Sequence, residues 1–421
     1  MFETSLRNEG QRRLSEIGVA DLLVGIPSYK NAETIGHVVE TAGDGMLVHF
    51  PKLRPAIAVV DGGSSDETVH VAANRPLPPT VRRIVTTYQG IQGKGSAVRA
   101  ILEIARALGV KACIILEADL TSLTRDWIQR LAAPILNREF DLAIPWYARP
   151  LVEGGVNDLL GYPLTRMLYG SDLRQPMAGD FAVSGELAAR IHDRDVWETD
   201  VARQGIGIWL ATIGINENMK MCQVRLGPKI EHKKEAPILI DPTFVQTVGT
   251  QFRMMDIYKK RWPLPHETRS VPIYGESDKL PEPAKLTGTI TMDMLNDAFH
   301  SGARRTRRLW RTVLAPSNLE QVFDLANRPR GGLRFPPDLW ARVVFDSAVV
   351  YNKGENDPDK VALGLLPMYY ARAATVLRET GAKLDAVEQA IQEQARVFAE
   401  QKPYLLYRWD TFVPWAVDGV R

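Results

Sequence analysis

The chain has 421 residues, of which 45% are hydrophobic and 24% charged, with a formal net charge of +2. This is the composition of a globular protein with room for two domains, and so small a charge argues against nucleic acid or an acidic membrane surface as partner. The 2 cysteines, Cys113 and Cys222, make neither a disulfide framework nor a zinc pattern and read as small buried apolar residues.

Met1 to Ala20 is polar and lacks the apolar core of a signal peptide. No run of about 18 apolar residues predicts a membrane span, so a cytoplasmic location is expected.

The first predicted unit is the apolar strand Leu22 to Ile26, the loop Pro27-Ser28-Tyr29-Lys30-Asn31 and a helix over Ala32 to Ala42. The second is Ile57 to Val60 followed by Asp61-Gly62-Gly63-Ser64-Ser65-Asp66-Glu67-Thr68 and another helix start. Gly90 to Gly95, with Lys94 between two glycines, opens a helical pattern over Ser96 to Leu108. Ala112 to Leu116 then runs into Glu117-Ala118-Asp119.

Strands alternating with helices predict a parallel sheet. Every loop that follows a strand falls at its carboxyl edge, where open α/β sheets bind ligands. Alternation along a strand turns Glu117 and Asp119 to the same side. A hard cation holding a diphosphate needs about one or two such carboxylates. Asp61 suits a base or ribose, Gly62 and Gly63 allow close backbone approach, and Lys94 before a helix suits a phosphate. The Walker A spacing is missing. Asp66 or Ser65 reads as a helix cap.

Further along, Leu142 to Tyr147 reads as a strand leading to Arg149, and Asn157 or Asp158 caps a helix over Leu159 to Tyr169. Trp197 to Asp200 reads as an acidic cap before an apolar helix. From about residue 240 prolines 237, 242, 263, 265, 272, 281 and 283 punctuate a connecting region around a helix over Phe244 to Tyr258. Helical spacing follows over Ile290 to Leu309, Asn318 to Leu325, Pro337 to Tyr351 and Leu363 to Glu400, the last broken at Gly381. Arg304, Arg305, Arg307 and Arg308 read as a solvated basic face. Tyr404, Tyr407 and Trp409 read as docking the C-terminus or as a homodimer contact.

The order Pro27 to Ile35, Val60 to Thr68, Gly93-Lys94-Gly95 and Glu117 to Leu120 resembles the GT-A glycosyltransferases of the family-2-like class. Leu173-Arg174-Gln175-Pro176-Met177-Ala178-Gly179-Asp180-Phe181-Ala182, Gly205 to Leu210 and Leu226 to Lys234 narrow it toward the glucosyl-3-phosphoglycerate and mannosylglycerate synthases. The resemblance covers residues 20 to 235.

It implies a GT-A, Rossmann-like, mostly parallel α/β sheet over 1–240 and a mostly α-helical C-terminal domain over 241–421. It further implies a metal site of Asp119 and His232 for Mg2+ or Mn2+. Pro27, Tyr29, Glu33, Asp61, Lys94, Glu117 and Ala118 would hold the nucleotide sugar. Gln175 and Asp180 would join Asp119 in catalysis, with Asp200 or Glu198 standing in for the family acid missing at Gly207, and Arg149, Asn157 and Thr165 would take a small hydroxy-acid acceptor. The expected reaction is transfer of glucose or mannose from a GDP- or UDP-sugar to glycerate or 3-phosphoglycerate, with retention of configuration.

Two positions depart from the family pattern: Glu117 stands where Asp is usual, and Gly207 where relatives carry an acid. Gly207 keeps a nucleotide-sugar-binding protein without turnover as an alternative reading. A sugar-nucleotide pyrophosphorylase is weaker, because Pro27 to Asn31 replaces the Gly-rich basic loop it needs.

Overall fold

The computed structural model describes residues 4–232, 241–264, 267–275 and 290–414. Lys233, Lys234, Pro237, Pro265, Pro281 and Pro283, named above, lie outside the described residues.

The strands are β1 (Leu22–Ser28), β2 (Pro55–Asp61), β3 (Arg82–Thr87), β4 (Ala112–Ile115), β5 (Leu142–Ala148), β6 (Ser171–Asp172), β7 (Phe181–Ser184), β8 (Met221–Pro228), β9 (Arg269–Ser270) and β10 (Ile273–Tyr274). The helices through the first half are α1 (Asn8–Ile17), α2 (Ile35–His49), α3 (Thr68–Asn74), α4 (Lys94–Leu108), α5 (Arg125–Leu136), α6 (Leu151–Val156), α7 (Tyr162–Tyr169), α8 (Gly185–His192) and α9 (Ile206–Asn216). Seven more follow: α10 (Asp241–Ile257), α11 (Met292–Val313), α12 (Pro316–Asn327), α13 (Pro337–Lys353), α14 (Pro358–Thr380), α15 (Leu384–Glu400) and α16 (Lys402–Asp410).

The chain forms two compact units, one of Met1–Arg149, Met177–Lys234 and Val271–Ala284, the other of Pro150–Pro176, Glu235–Ser270 and Lys285–Arg421. The first is built on an 8-stranded sheet in the order β10-β8-β5-β7-β4-β1-β2-β3. β7 runs antiparallel to β4 and β5, and the other pairings are parallel. This is the mostly parallel, helix-flanked sheet the sequence predicts.

β1 and β2 are buried along their whole lengths, which is why both read as continuous apolar runs without alternation. Leu22, Val24, Ile26, Ile57, Val59 and Ile114 share one core with α2 and α5. On the opposite face Gly25 lets α4 in close, since a Cβ there would lie 2.2 Å from Ile101 Cγ2.

The carboxyl ends of β1, β2 and β4 therefore open side by side, with Ser28 opposite Asp61 in register. An isolated bridge between Leu120 and Glu231 brings the segment after β8 against the end of the acidic motif.

The second unit is helical apart from the short pairing of β6 with β9. The helix expected over Leu159 to Tyr169 begins instead as a π-helical turn, Asn157–Gly161, that runs straight into α7. The Trp340 indole N–H donates to Leu159 O at 2.7 Å and the Gln251 amide to Gly161 O at 3.1 Å. Those side chains take carbonyls that a wider turn leaves over. No helix among the described residues is long and apolar enough to cross a membrane.

Candidate active site

A cavity of about 560 Å³ opens at the carboxyl edge of β1, β2 and β4, with Pro27, Tyr29, Lys94, Glu117, Ala118 and Asp119 in its wall. Each of these is predicted from sequence. Tyr88, Gln92 and Gln204 also line it and carry no motif signal.

The β1 loop is held open by its neighbours. Tyr29 N donates to Asn31 Oδ1 at 2.9 Å and Lys30 N to Ser64 Oγ at 2.7 Å, fixing Lys30 at φ 53° in the left-handed region. Thr34 Oγ1 donates to Ala118 O at 2.7 Å, tying the start of α2 to the acidic motif.

Asp61 is 1% exposed and accepts from Gly63 N at 2.8 Å, Ser64 N at 2.6 Å, Ser64 Oγ at 2.7 Å and Ser28 Oγ at 2.8 Å. Its carboxylate shapes the β2 loop. The base contact expected of it would require exchange of one of these bonds.

Lys94 stands at the start of α4, where Gly95 N donates to Arg203 O at 2.9 Å. A Cβ on Gly95 would lie 1.8 Å from Val201 O, so only glycine admits this approach. The Lys94 ammonium is ion-paired with Glu117.

Four carboxylates meet in and beneath the cavity wall. Glu117 pairs with Lys94 and Lys229. Burial alone would raise its carboxyl, but the two lysines outweigh burial and hold it well below the usual range. Asp180, with no exposed surface, accepts from Glu117 N at 2.7 Å and Lys229 Nζ at 2.8 Å, and also from the Tyr147 hydroxyl. Expected in catalysis, it lies instead beneath the site and holds the groups that line it.

Glu231 pairs with Arg149 at 2.8 Å and Lys229 at 3.0 Å. Asp119 makes no ion pair or side-chain hydrogen bond among the described residues; burial first, and then the charges of Glu117 and Glu231, raise its carboxyl to about 7.

His232 reaches this cluster through its backbone, its N–H donating to Asp119 O at 2.8 Å, while its ring lies 3.2 Å from Glu33. No group of three or more His, Cys, Asp or Glu side chains poised for a metal occurs among the described residues. Asp119 and His232, the metal ligands the resemblance implies, are joined through the backbone, in a region where four carboxylates face three cations. An oxygen and an imidazole suit Mg2+- or Mn2+-type ions whose other ligands are phosphate and water.

Asp200 opens a short 3-10 turn capped by Thr199, and its carbonyl accepts from Gly205 N at 2.9 Å. Gly207 sits where a Cβ would lie 2.3 Å from Ala178 O. Glycine is therefore a packing requirement at that position.

Gln175, Asn157 and Thr165 belong to the second unit. Asn157 Nδ2 donates to Arg174 O at 3.1 Å and Asp158 Oδ1 at 3.0 Å. Gln175 is 8% exposed, and Thr165 has no exposed surface, its hydroxyl accepting from Gln251 at 3.1 Å. The acceptor contact expected of Thr165 is closed in this arrangement.

Lys229, Glu231 and Tyr147 are the members of the charged network that sequence reasoning missed. Lys229 lies in the segment Leu226 to Lys234 that the resemblance uses, but received no role of its own; its pairing with the acidic motif in space reveals it.

Residues 23–176 match the family Glycosyl transferase family 2. Over 192 residues, 42% of this chain and 58% of the relative, it is 26% identical to Glucosyl-3-phosphoglycerate synthase of Petrotoga mobilis. The chain thus spans 58% of the length of that curated relative.

Among solved structures, glucosyl-3-phosphoglycerate synthase from Mycobacterium tuberculosis in complex with Mn2+, UDP and phosphoglyceric acid is 19% identical, with TM-score 0.44 over 60% of this chain and 83% of that one. The same protein in complex with Mg2+ and UDP is 18% identical, with TM-score 0.45 over 62% and 86%.

Proposed function

We propose that this chain is a divalent-metal-dependent hexosyltransferase. It moves glucose or mannose from a GDP- or UDP-sugar to a small hydroxy acid, glycerate or 3-phosphoglycerate, with retention of anomeric configuration. The observation that carries the reading is the joining of Lys94, Glu117 and Asp119 in one cavity, with His232 bonded to the backbone of Asp119. The match to family 2 over residues 23–176 and the similarity to the synthase relative support the reaction class and the acceptor.

Asp119 and His232 would hold Mg2+ or Mn2+, which supplies charge neutralisation for the departing diphosphate. Pro27 and Tyr29 bind the nucleoside side of the donor, with Glu33 on the rim beside His232. Asp61 fixes the β2 loop against which the nucleoside lies. Lys94 exchanges Glu117 for a diphosphate oxygen, a small movement for an ammonium already at the helix start. Arg149, at the end of β5, exchanges Glu231 for the acceptor carboxylate.

Glu117 and Asp180 are both ion-paired with Lys229 and are not offered to an anomeric carbon. The reading therefore contains no covalent glycosyl-enzyme.

The test pairs GDP- and UDP-linked glucose and mannose with D-glycerate, 3-phosphoglycerate and D-lactate under Mg2+ or Mn2+, reading nucleoside diphosphate release and product mass. An acceptor-dependent product establishes the transferase and names both substrates. Metal-dependent donor binding without product for any pair defeats the reading in favour of a binding protein without turnover.

A further inference from the structure

β3 is the last strand of the sheet, and just past its end it meets the start of the chain. Leu6 and Tyr88 form an isolated antiparallel bridge. Gln89 N donates to Ser5 O at 2.8 Å, and the Gln89 side-chain amide donates to Leu6 O at 3.1 Å. Ser5 and Leu6 are each 1% exposed.

The same short segment grips α4. Ser5 N donates to Glu103 Oε2 at 2.8 Å, and the hydroxyls of Thr4 and Ser5 donate to the same carboxylate. Thr4 to Leu6 therefore clasp the end of β3 on one side and α4 on the other.

Between those two elements, Gln89 to Gly93 belong to no helix or strand. Gly90, Ile91 and Gln92 make no hydrogen bond among the described residues. A stretch with so few bonds of its own is held by its ends. At the near end stands the clasp of Gln89 by Ser5 and Leu6. At the far end Gly93 N donates to the Tyr88 hydroxyl at 2.8 Å. Behind Gly93 there is no slack, since a Cβ there would lie 2.6 Å from Ala202 O.

Tyr88 thus takes part in both fastenings, its backbone against Leu6 and its hydroxyl against Gly93. It is 8% exposed and lies in the wall of the candidate donor cavity with Gln92, Gly93 and Lys94. Lys94 follows Gly93 directly, so the backbone position of Gly93 sets where the ammonium starts.

We infer that Thr4 to Leu6 are a strap on the donor site, and that Tyr88 is the positioning residue through which the strap holds Gly93, and with it Lys94, where the diphosphate is met. This rests on the function proposed above. A small misplacement of a group that orients a substrate is costly even when its cause lies outside the site.

The test reads two properties of the full chain: hydrogen exchange at the Gly93 amide, and binding of UDP and GDP under Mg2+ by calorimetry. Leu6→Ala loosens the strap without touching the cavity. It should speed exchange at Gly93 and weaken nucleotide binding, each by about tenfold, the size of one lost hydrogen bond. Tyr88→Phe keeps the ring and should reproduce both effects. In initial rates it should raise KM for the donor and leave kcat and the acceptor KM near those of the parent. Because the strap acts through that hydroxyl, the double variant should bind nucleotide no more weakly than Tyr88→Phe alone. Should Leu6→Ala fail to fold, Gln89→Ala at an exposed position releases Leu6 O and is read the same way.

A lower melting temperature with unchanged Gly93 exchange in Leu6→Ala overturns the inference, as do losses that simply add in the double variant. If the parent binds neither nucleotide, the proposed function fails, and exchange at Gly93 still decides whether Leu6 holds that residue.

Discussion

The backbone N–H of His232 donates to the carbonyl of Asp119 at 2.8 Å, joining the end of the last long strand to the end of the acidic motif. This bond brings the His232 backbone against the acidic motif, while the imidazole lies 3.2 Å from Glu33. The flanking Leu120–Glu231 bridge holds the pair in register.

Replacing Asp119 by Ala removes the one carboxylate of the cluster with no cation partner among the described residues. Activity should fall by at least about a hundredfold while far-UV circular dichroism and melting temperature stay near those of the parent, because no buried cation is orphaned. Retained metal-dependent turnover would remove Asp119 from the metal site.

Gly207 gives a prediction against intuition. Restoring the acid of the family pattern with Gly207→Asp should not improve activity. The new Cβ would lie 2.3 Å from Ala178 O and push the segment that carries Gly179 and Asp180. Gly207→Ala should already cost about 1–3 kcal/mol in chemical denaturation, as overpacking of a tight contact does. Equal stability of Gly207→Ala and the parent would sink this reading.

Asp61→Ala strips the acceptor from Ser28 Oγ, Gly63 N and both donors of Ser64. Each buried donor left unsatisfied costs about 1–3 kcal/mol. The expected result is a lower melting temperature together with a raised KM for the donor and little change in KM for the acceptor, measured by initial rates. An equal rise in both would place Asp61 outside the donor loop's function.

Stability should depend on pH through Glu103 and His192, which bring α4 and α8 together with the N-terminal segment. Glu103 accepts from Ser5 N at 2.8 Å and lies 3.8 Å from His192 Nε2. Burial would raise the Glu103 carboxyl, but His192, Ser5 and Thr4 bring it from 4.5 to about 2, and its contribution is lost as pH falls toward that value. His192 is raised above 6.5 by Glu103 against the cost of burial, and its contribution fades as pH rises through that raised value. The coupling is therefore fullest from about pH 4.5 to 6.5. Melting temperatures of the parent minus those of Glu103→Gln should peak in that window; a difference independent of pH would show the pair to be uncharged or uncoupled.

Much of the cavity was legible from local pattern. Ser28, Asp61, Glu117 and Asp119 each end an apolar run, and the rule that parallel strands open their loops at one edge places them together without a structure. Lys94 was legible for the same reason, standing between glycines before a helix. Thr165 was misleading: helical spacing puts it on α7, but spacing does not say that Gln251 of α10 would cover its hydroxyl. Gly207 read as a missing acid, whereas the close approach of Ala178 is a contact no one-dimensional pattern encodes.

The sequence by itself determined the parallel sheet, the order of its loops and the identity of the polar groups at its edge, because strand period, helix period and glycine placement are local properties of the chain. Only the tertiary structure decided how those charges are shared. Lys229 and Glu117 stand 112 positions apart, and their pairing exists because β8 and β4 end at the same edge of one sheet. Coulomb attraction depends on distance in space and on the water excluded between the partners. Which carboxylate is neutralised and which is left for a cation is therefore settled by the fold.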